Sequence, residues 1–323
     1  MTKNRSFPKC VQAEEMESLE HETQYPFLAT EHFVQTAERS SSNALLRQIL
    51  PSREELLSSP YFTTDPLQEQ APTPENFDCV RILRKYLGRA LLMTTPFCFG
   101  NCRFCFRRYL RNAPPAGVLK HENYQSALFQ VAKDVSIHEI ILSGGDPMTL
   151  NDDLFFYLLE EFGKNKHIAR IRVHTRSPIF CPQRISKNFI KKVENFFERV
   201  SKPLYFVVHI NHPDEISPET EENFALLHRA GVVLLQQGVL LRGVNDDVDV
   251  LERLYEKLAN KNVLPYYLHQ LDRVQGAAHF EVPDEEGLKI VRALRGRLSG
   301  YAVPQFVREI PGEEGKRPIS ELS

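Results

Sequence analysis

Between residues 90 and 298 the chain alternates six times between a short apolar run and a longer amphipathic stretch. The apolar runs fall at 90–94, 139–142, 171–174, 204–210, 232–235 and 264–268. Stretches of helical period follow them at 122–133, 152–162, 185–199, 218–230, 248–259 and 284–298. In the last, Leu288, Val291, Leu294 and Leu298 share one face, and Asp284 stands where an N-cap is expected. Short, continuously apolar runs suit strands buried on both faces, and a helix after each strand makes successive strands parallel. The predicted class is α/β. No Gly-x-Gly-x-x-Gly follows any run, so a dinucleotide-binding open sheet is disfavoured against a barrel of six βα units. In a barrel the chemistry gathers on the loops after the C-terminal ends of the strands.

Ahead of this repeat, residues 1–80 read as a helical extension, with helices expected at 37–50 and 52–57. The segment 65–74 carries three prolines and reads as a linker or extended loop. The barrel is expected over 81–310, with a short C-terminal segment at 311–323. A composition of 42% hydrophobic and 25% charged residues excludes disordered, collagen-like and disulfide-scaffold classes. The formal charge of −2, without a dominant basic stripe, disfavours nucleic acid as the main ligand. The N-terminus lacks the apolar core of a signal peptide, and the apolar stretch 231–241 is short and interrupted by Gln236 and Gln237. A cytosolic protein with no membrane span is expected.

Six cysteines are present, and in a reducing compartment their spacing matters more than their number. Cys10, Cys79 and Cys181 stand alone, whereas Cys98, Cys102 and Cys105 lie within eight residues, directly after the first strand. Three thiolates on one loop suit a soft metal centre. A structural zinc would want a fourth protein ligand, and no second cysteine pair supplies one. Three ligands on a four-iron cluster leave one iron open, and Phe97, Phe99, Phe104 and Phe106 would shield it. Zinc, or three buried structural cysteines, are the competing readings.

Cys-x3-Cys-x2-Cys with Phe104 before the last cysteine resembles the signature of the radical S-adenosylmethionine superfamily. That resemblance implies a partial (βα)6 barrel, a [4Fe-4S] cluster on Cys98, Cys102 and Cys105, and S-adenosylmethionine on the open iron. Ser143-Gly144-Gly145-Asp146-Pro147, after the second strand, resembles the turn that contacts the methionine amino group, so Gly144, Gly145 and Asp146 join Phe104 as expected cofactor contacts. Further segments, among them Asp65-Pro-Leu-x-Glu69, 174–185, 209–216, 240–246 and Pro311-Gly-Glu-Glu-Gly-Lys316, resemble the lysine 2,3-aminomutases. That likeness implies a second cofactor, pyridoxal 5′-phosphate, anchored on Lys316. Gly312 and Gly315 would let this lysine move. Glu313 and Glu314 stand where the family commonly has glycines, and carboxylates there would keep the lysine charged unless they point outward.

The same resemblance makes Arg107 the ligand of the substrate carboxylate, and Asp272 and Glu309 the partners of a side-chain ammonium. Two acids favour L-lysine over glutamate. The implied reaction is a 2,3-amino migration giving β-lysine, with an electron donor such as flavodoxin or ferredoxin. Cys-Arg-Phe-Cys-Phe-Arg-Arg and the absence of cysteine after Cys181 resemble a short branch of the family. That branch makes (R)-β-lysine, which a separate ligase attaches to elongation factor P. A metabolic aminomutase, a radical enzyme of different outcome and an iron–sulfur electron carrier are the alternatives.

Overall fold

A computed structural model describes residues 7–9, 11–57, 59–69, 80–111 and 119–321. Nine strands form one sheet in sequence order: β1 Arg81–Leu83, β2 Arg89–Thr95, β3 Glu139–Gly144, β4 Arg170–Thr175, β5 Leu204–His209, β6 Val233–Val239, β7 Leu264–His269, β8 Gln305–Arg308 and β9 Arg317–Pro318. β2 through β8 run parallel, while β1 and β9 pair antiparallel at the two edges. The sheet is curved and not closed, as a partial barrel requires.

The six expected strands are present as β2 to β7. Their cores are fully buried, with Ile140, Leu142, Ile171, Val173, Phe206 and Val208 at zero or near-zero exposure, as continuous apolar runs between two layers demand. β8 is a seventh parallel strand. It is only four residues long and buries two of them, Phe306 and Val307, which is too little pattern to distinguish from a loop.

The helices after the strands are α4 Gln125–Lys133, α5 Asp152–Gly163, α7 Lys187–Arg199, α8 Pro218–Arg229, α9 Val248–Ala259 and α10 Asp284–Arg297, with a single turn, α6 Ser177–Phe180, before α7. Asn151, Ser186, Ser217 and Asp247 cap α5, α7, α8 and α9 through side-chain oxygens. Asp284 does not cap α10. Pro283 holds the cap position, and the Asp284 carboxylate pairs instead with Arg308 at 2.7 and 3.0 Å, tying α10 to β8.

The N-terminal helices are α1 Ala13–Thr23, α2 Glu31–Arg39 and α3 Ala44–Arg47. The helix expected over 37–50 is broken at residues 40–43, a Ser-Ser-Ser-Asn run. There Ser40 Oγ donates to Asp214 Oδ2 at 2.6 Å, and its side chain also accepts from Ser42 N. Such local bonds compete with the helical ladder. The expected 52–57 helix is one 3₁₀ turn, Arg53–Leu56, with Ser52 and Glu55 capping each other. Cys10, Cys79 and the 70–74 part of the expected linker lie outside the described residues. No helix among the described residues is long and apolar enough to cross a membrane.

Candidate active site

A cavity of about 460 Å³ opens at the C-terminal ends of the parallel strands, and every site residue expected from the sequence lines it. Cys98, Cys102, Cys105 and Phe104 come from the loop after β2, Gly144, Gly145 and Asp146 from the turn after β3, and Asp272, Glu309 and Lys316 from beyond β7 and β8. Arg107 completes the set.

The cysteine loop is held from below by the N-terminal layer. Main-chain bonds run from Asn101 N to Leu28 O and from Arg103 N to Gln48 O. Glu55 receives Arg103 Nε and Nη2 at 2.8 and 2.7 Å, Arg108 Nη2 at 2.7 Å and Ser52 N at 3.1 Å. Both guanidinium groups lie over the Tyr25 ring, 4.8 and 4.4 Å from its centroid. The two buried guanidinium groups share the Glu55 carboxylate and reach main-chain carbonyls besides, which makes their burial tolerable.

The thiols are half-buried and none is in a disulfide. Arg176 Nη1 donates to Cys102 Sγ at 2.8 Å, and its Nη2 is held by Gln48 Oε1 at 2.6 Å and Glu215 Oε2 at 3.0 Å. A cationic donor on the sulfur would balance the charge of a metal-bound thiolate. Phe104 is buried and stacks on His209 at 5.6 Å. Phe97, expected among the shielding rings, is 52% exposed; only its main chain takes part. The ring points outward because its carbonyl is turned to the next loop, where it accepts from Asp146 N at 2.7 Å.

That approach explains the paired glycines. A Cβ on Gly145 would sit 2.2 Å from Phe97 O, and Gly144 has φ of +112° with Thr95 O 2.9 Å from the place of its Cβ. The Asp146 carboxylate is turned to its own scaffold. It accepts from Thr175 Oγ1 at 2.7 Å, Arg176 N at 2.8 Å and Met148 N at 3.0 Å, while burial pushes its pKa upward against these bonds.

The far end of the cavity is a line of alternating charges. Lys316 Nζ contacts Glu309 Oε2, Glu309 Oε1 meets Lys85 Nζ at 2.7 Å, and Lys85 Nζ meets Glu69 Oε1 at 2.9 Å. Glu69 then grips Arg107 at 2.7 and 2.8 Å. Burial works against ionising both acids, but the neighbouring cations win and hold Glu309 and Glu69 at about 2. At Asp272 burial, then the Glu309 charge, outweigh Lys316 and Lys85 and push it up to about 7. Glu313 and Glu314 point outward, and Glu313 faces Arg317. The carboxylate that reaches Lys316 is Glu309.

Tyr86, Arg89, Arg172, Tyr266, Tyr267 and three histidines line the rest of the wall. Burial, followed by nearby cations, holds His174 and His209 well below the usual histidine range and His269 at about 3, so all three are neutral. The buried Arg172 Nε and the His174 and His209 Nε2 atoms have no hydrogen-bond partner. Glu69, Lys85, Arg172, Arg176 and Glu55 are the contributors that sequence reasoning gave no role. Glu69 stands in the quoted Asp65-Pro-Leu-x-Glu69 motif, whose Asp65 Oδ1 accepts Glu69 N at 2.9 Å to form the turn that delivers it.

A family model described as the Radical SAM superfamily matches residues 92–254. The chain is 42% identical over 288 residues to the L-lysine 2,3-aminomutase of Escherichia coli K12, covering 89% of this chain and 81% of that protein. The chain belongs to the lysine 2,3-aminomutase family. The L-lysine 2,3-aminomutase of Haemophilus influenzae is 38% identical over 291 residues, 90% of this chain and 83% of that one. That of Clostridium subterminale is 34% identical over 273 residues, 84% and 63%.

This lysine 2,3-aminomutase family member is an isomerase, and its membership implies a [4Fe-4S] cluster, S-adenosylmethionine and pyridoxal phosphate. The residues present fit the cluster and pyridoxal phosphate. Among the described residues no three His, Cys, Asp or Glu side chains are set to hold one metal ion, the arrangement mononuclear zinc needs. Three thiols along one cavity wall suit a cluster, whose irons each take a separate sulfur. The unpartnered Arg172 Nε, with Arg89, Tyr266 and Tyr267 in the same cavity and Tyr86 beside Lys316, suits a phosphorylated aromatic group.

Proposed function

We propose that this chain is a lysine 2,3-aminomutase that converts L-lysine to β-lysine. The observation that carries the reading is a single cavity lined both by the cysteine triad and by Lys316 with two acids. In this reading Cys98, Cys102 and Cys105 hold the cluster, the Gly144–Gly145 main chain and Phe104 border S-adenosylmethionine, and Lys316 anchors pyridoxal phosphate. When bound, the cluster supplies the electron that breaks the sulfonium homolytically, and the pyridoxal ring delocalises the unpaired electron at the migrating nitrogen.

The chain's own residues bind and orient the substrate. Arg107 offers guanidinium N–H groups to the α-carboxylate. Glu309 and Asp272 receive the ε-ammonium. Glu309 sits between Lys316 and Lys85 and is held as a carboxylate, ready to accept a further ammonium. Asp272, neutral or half-ionised near pH 7, becomes a full carboxylate beside that ammonium. The buried neutral histidines and Phe104 keep the wall dry and uncharged where a radical would form.

Lysine is the substrate of choice because its two charged ends match an arginine and two acids; glutamate would meet repulsion. The (R) configuration of the product, a flavodoxin or ferredoxin donor, delivery to elongation factor P through its lysyl ligase, and a cytoplasmic setting belong to this proposal. The first three are supported by the family resemblance and the Cys102–Arg108 motif, the last by the N-terminal sequence. Anaerobic reconstitution with iron, sulfide, pyridoxal phosphate and S-adenosylmethionine, then chiral analysis of products from L-lysine, tests the reading. β-Lysine is expected; none from a fully loaded protein refutes it.

A further inference from the structure

The pairing around Arg107 leaves a defined part of its guanidinium for a ligand. Glu69 occupies the side edge, Nε and Nη2, at 2.7 and 2.8 Å. Nη1 makes only long contacts, 3.3 Å to Ser143 Oγ and 3.5 Å to Gly144 O. A guanidinium carries five donors and two edges that match a carboxylate, so one anion on the side edge leaves the end edge for a second.

Glu69 is itself fixed from several directions. It is 4% exposed, its Oε1 is shared with Lys85 at 2.9 Å, and its backbone is tied by Asp65 Oδ1 at 2.9 Å and Arg81 Nη2 at 2.8 Å. Along the line from Lys316 to Arg107, three cations face two anions.

We propose that Glu69 is a positioning residue for the substrate carboxylate: it holds Arg107 by the side edge, aims the end edge at the substrate, and through Lys85 fixes that end of the site relative to Glu309. This rests on Arg107 being the carboxylate-binding group. Glu69 does not touch the reacting atoms.

The test compares L-lysine with 1,5-diaminopentane, which has the same two amines and no carboxylate, by calorimetric binding to the cofactor-loaded protein. A charged hydrogen-bonded pair of this kind gives the wild type a preference for L-lysine of about tenfold or more. In Glu69→Gln the preference is expected to fall to about threefold or less. Iron content and pyridoxal absorbance should stay unchanged, any loss of diamine affinity should be smaller than the loss for L-lysine, and Glu69→Asp should recover part of the preference. An unchanged preference in Glu69→Gln overturns the proposal. So does a parallel loss of both ligands together with iron and pyridoxal, which would make Glu69 a purely structural residue. A wild type that does not prefer L-lysine removes the assignment of Arg107, and with it this role; that result is a failure of the functional reading and shows in the wild type alone.

Discussion

Replacing Glu55 with Gln removes one negative charge from a place where two arginines need it. The carboxylate receives three guanidinium N–H groups at 2.7–2.8 Å and one backbone N–H, and the side chains of Arg103 and Arg108 are 0% and 2% exposed. An amide can accept at one atom only, and its NH2 group would face a guanidinium. Breaking a buried ion pair from one side costs roughly 3–5 kcal/mol. Arg103 keeps Tyr25 O at 2.7 Å and Thr23 Oγ1 at 3.2 Å, and Arg108 keeps Arg103 O at 3.0 Å, so the lower end, about 3 kcal/mol, is expected. Domain stabilities lie near 5–15 kcal/mol, so the barrel should survive while the layer under the cysteine loop loosens. Urea unfolding and the iron and sulfide content of protein purified without oxygen measure the two consequences. Glu55→Gln should unfold earlier and hold well under half the wild-type iron. A loss below about 1 kcal/mol with full iron would refute the claim that this carboxylate secures the loop.

Asp272 gives a pH signature. Its carboxyl is raised to about 7, so the folded state keeps a proton that the unfolded chain loses near 4, and this group's own contribution to stability falls as pH rises from about 4 to 7, against the buried neutral His174, His209 and His269, whose contributions rise up to about 6.5. Asp272→Asn should remove the falling part, so that stability rises more steeply with pH than in the wild type. L-Lysine binding to the wild type should tighten between pH 6 and 8, and a pH-independent affinity would count against Asp272 as an ammonium partner. Gly145→Ala places a Cβ 2.2 Å from Phe97 O and should lower iron incorporation several-fold, whereas wild-type iron would mean the two loops can separate without consequence. Lys316→Ala should abolish the pyridoxal absorbance of the purified protein and leave the cluster spectrum intact; retained absorbance would place the anchor elsewhere.

Periodicity made the six parallel strands and their helices legible, since each buried strand is a continuous apolar run and most following helices begin at an Asn, Ser or Asp cap. β8 was illegible because two buried residues make no pattern, and the helix expected over 37–50 failed because serine hydroxyls bond locally at 40–43. The site residues were reached through spacing and resemblance, and all eleven line one cavity. What the sequence could not say is which charge answers which. Glu69 stood in a quoted motif without a role and Lys85 in no motif at all, and only folding brings Glu69 across 38 positions of sequence to Arg107, and Lys85 across 224 to Glu309. Glu55 was hidden for the same reason. It reads as a capping-box acid at a helix start, which it also is.

The incomplete circuit of the barrel has a consequence for how the enzyme is held together. β1 and β9 never pair, yet Lys85, just past β1, reaches Glu309, just past β8, which in turn holds Lys316, just before β9. Side-chain charges thus stitch a seam that main-chain bonds leave unsewn. A stitch made of ions can be undone and remade by an arriving charged ligand, a freedom that main-chain pairing would not allow.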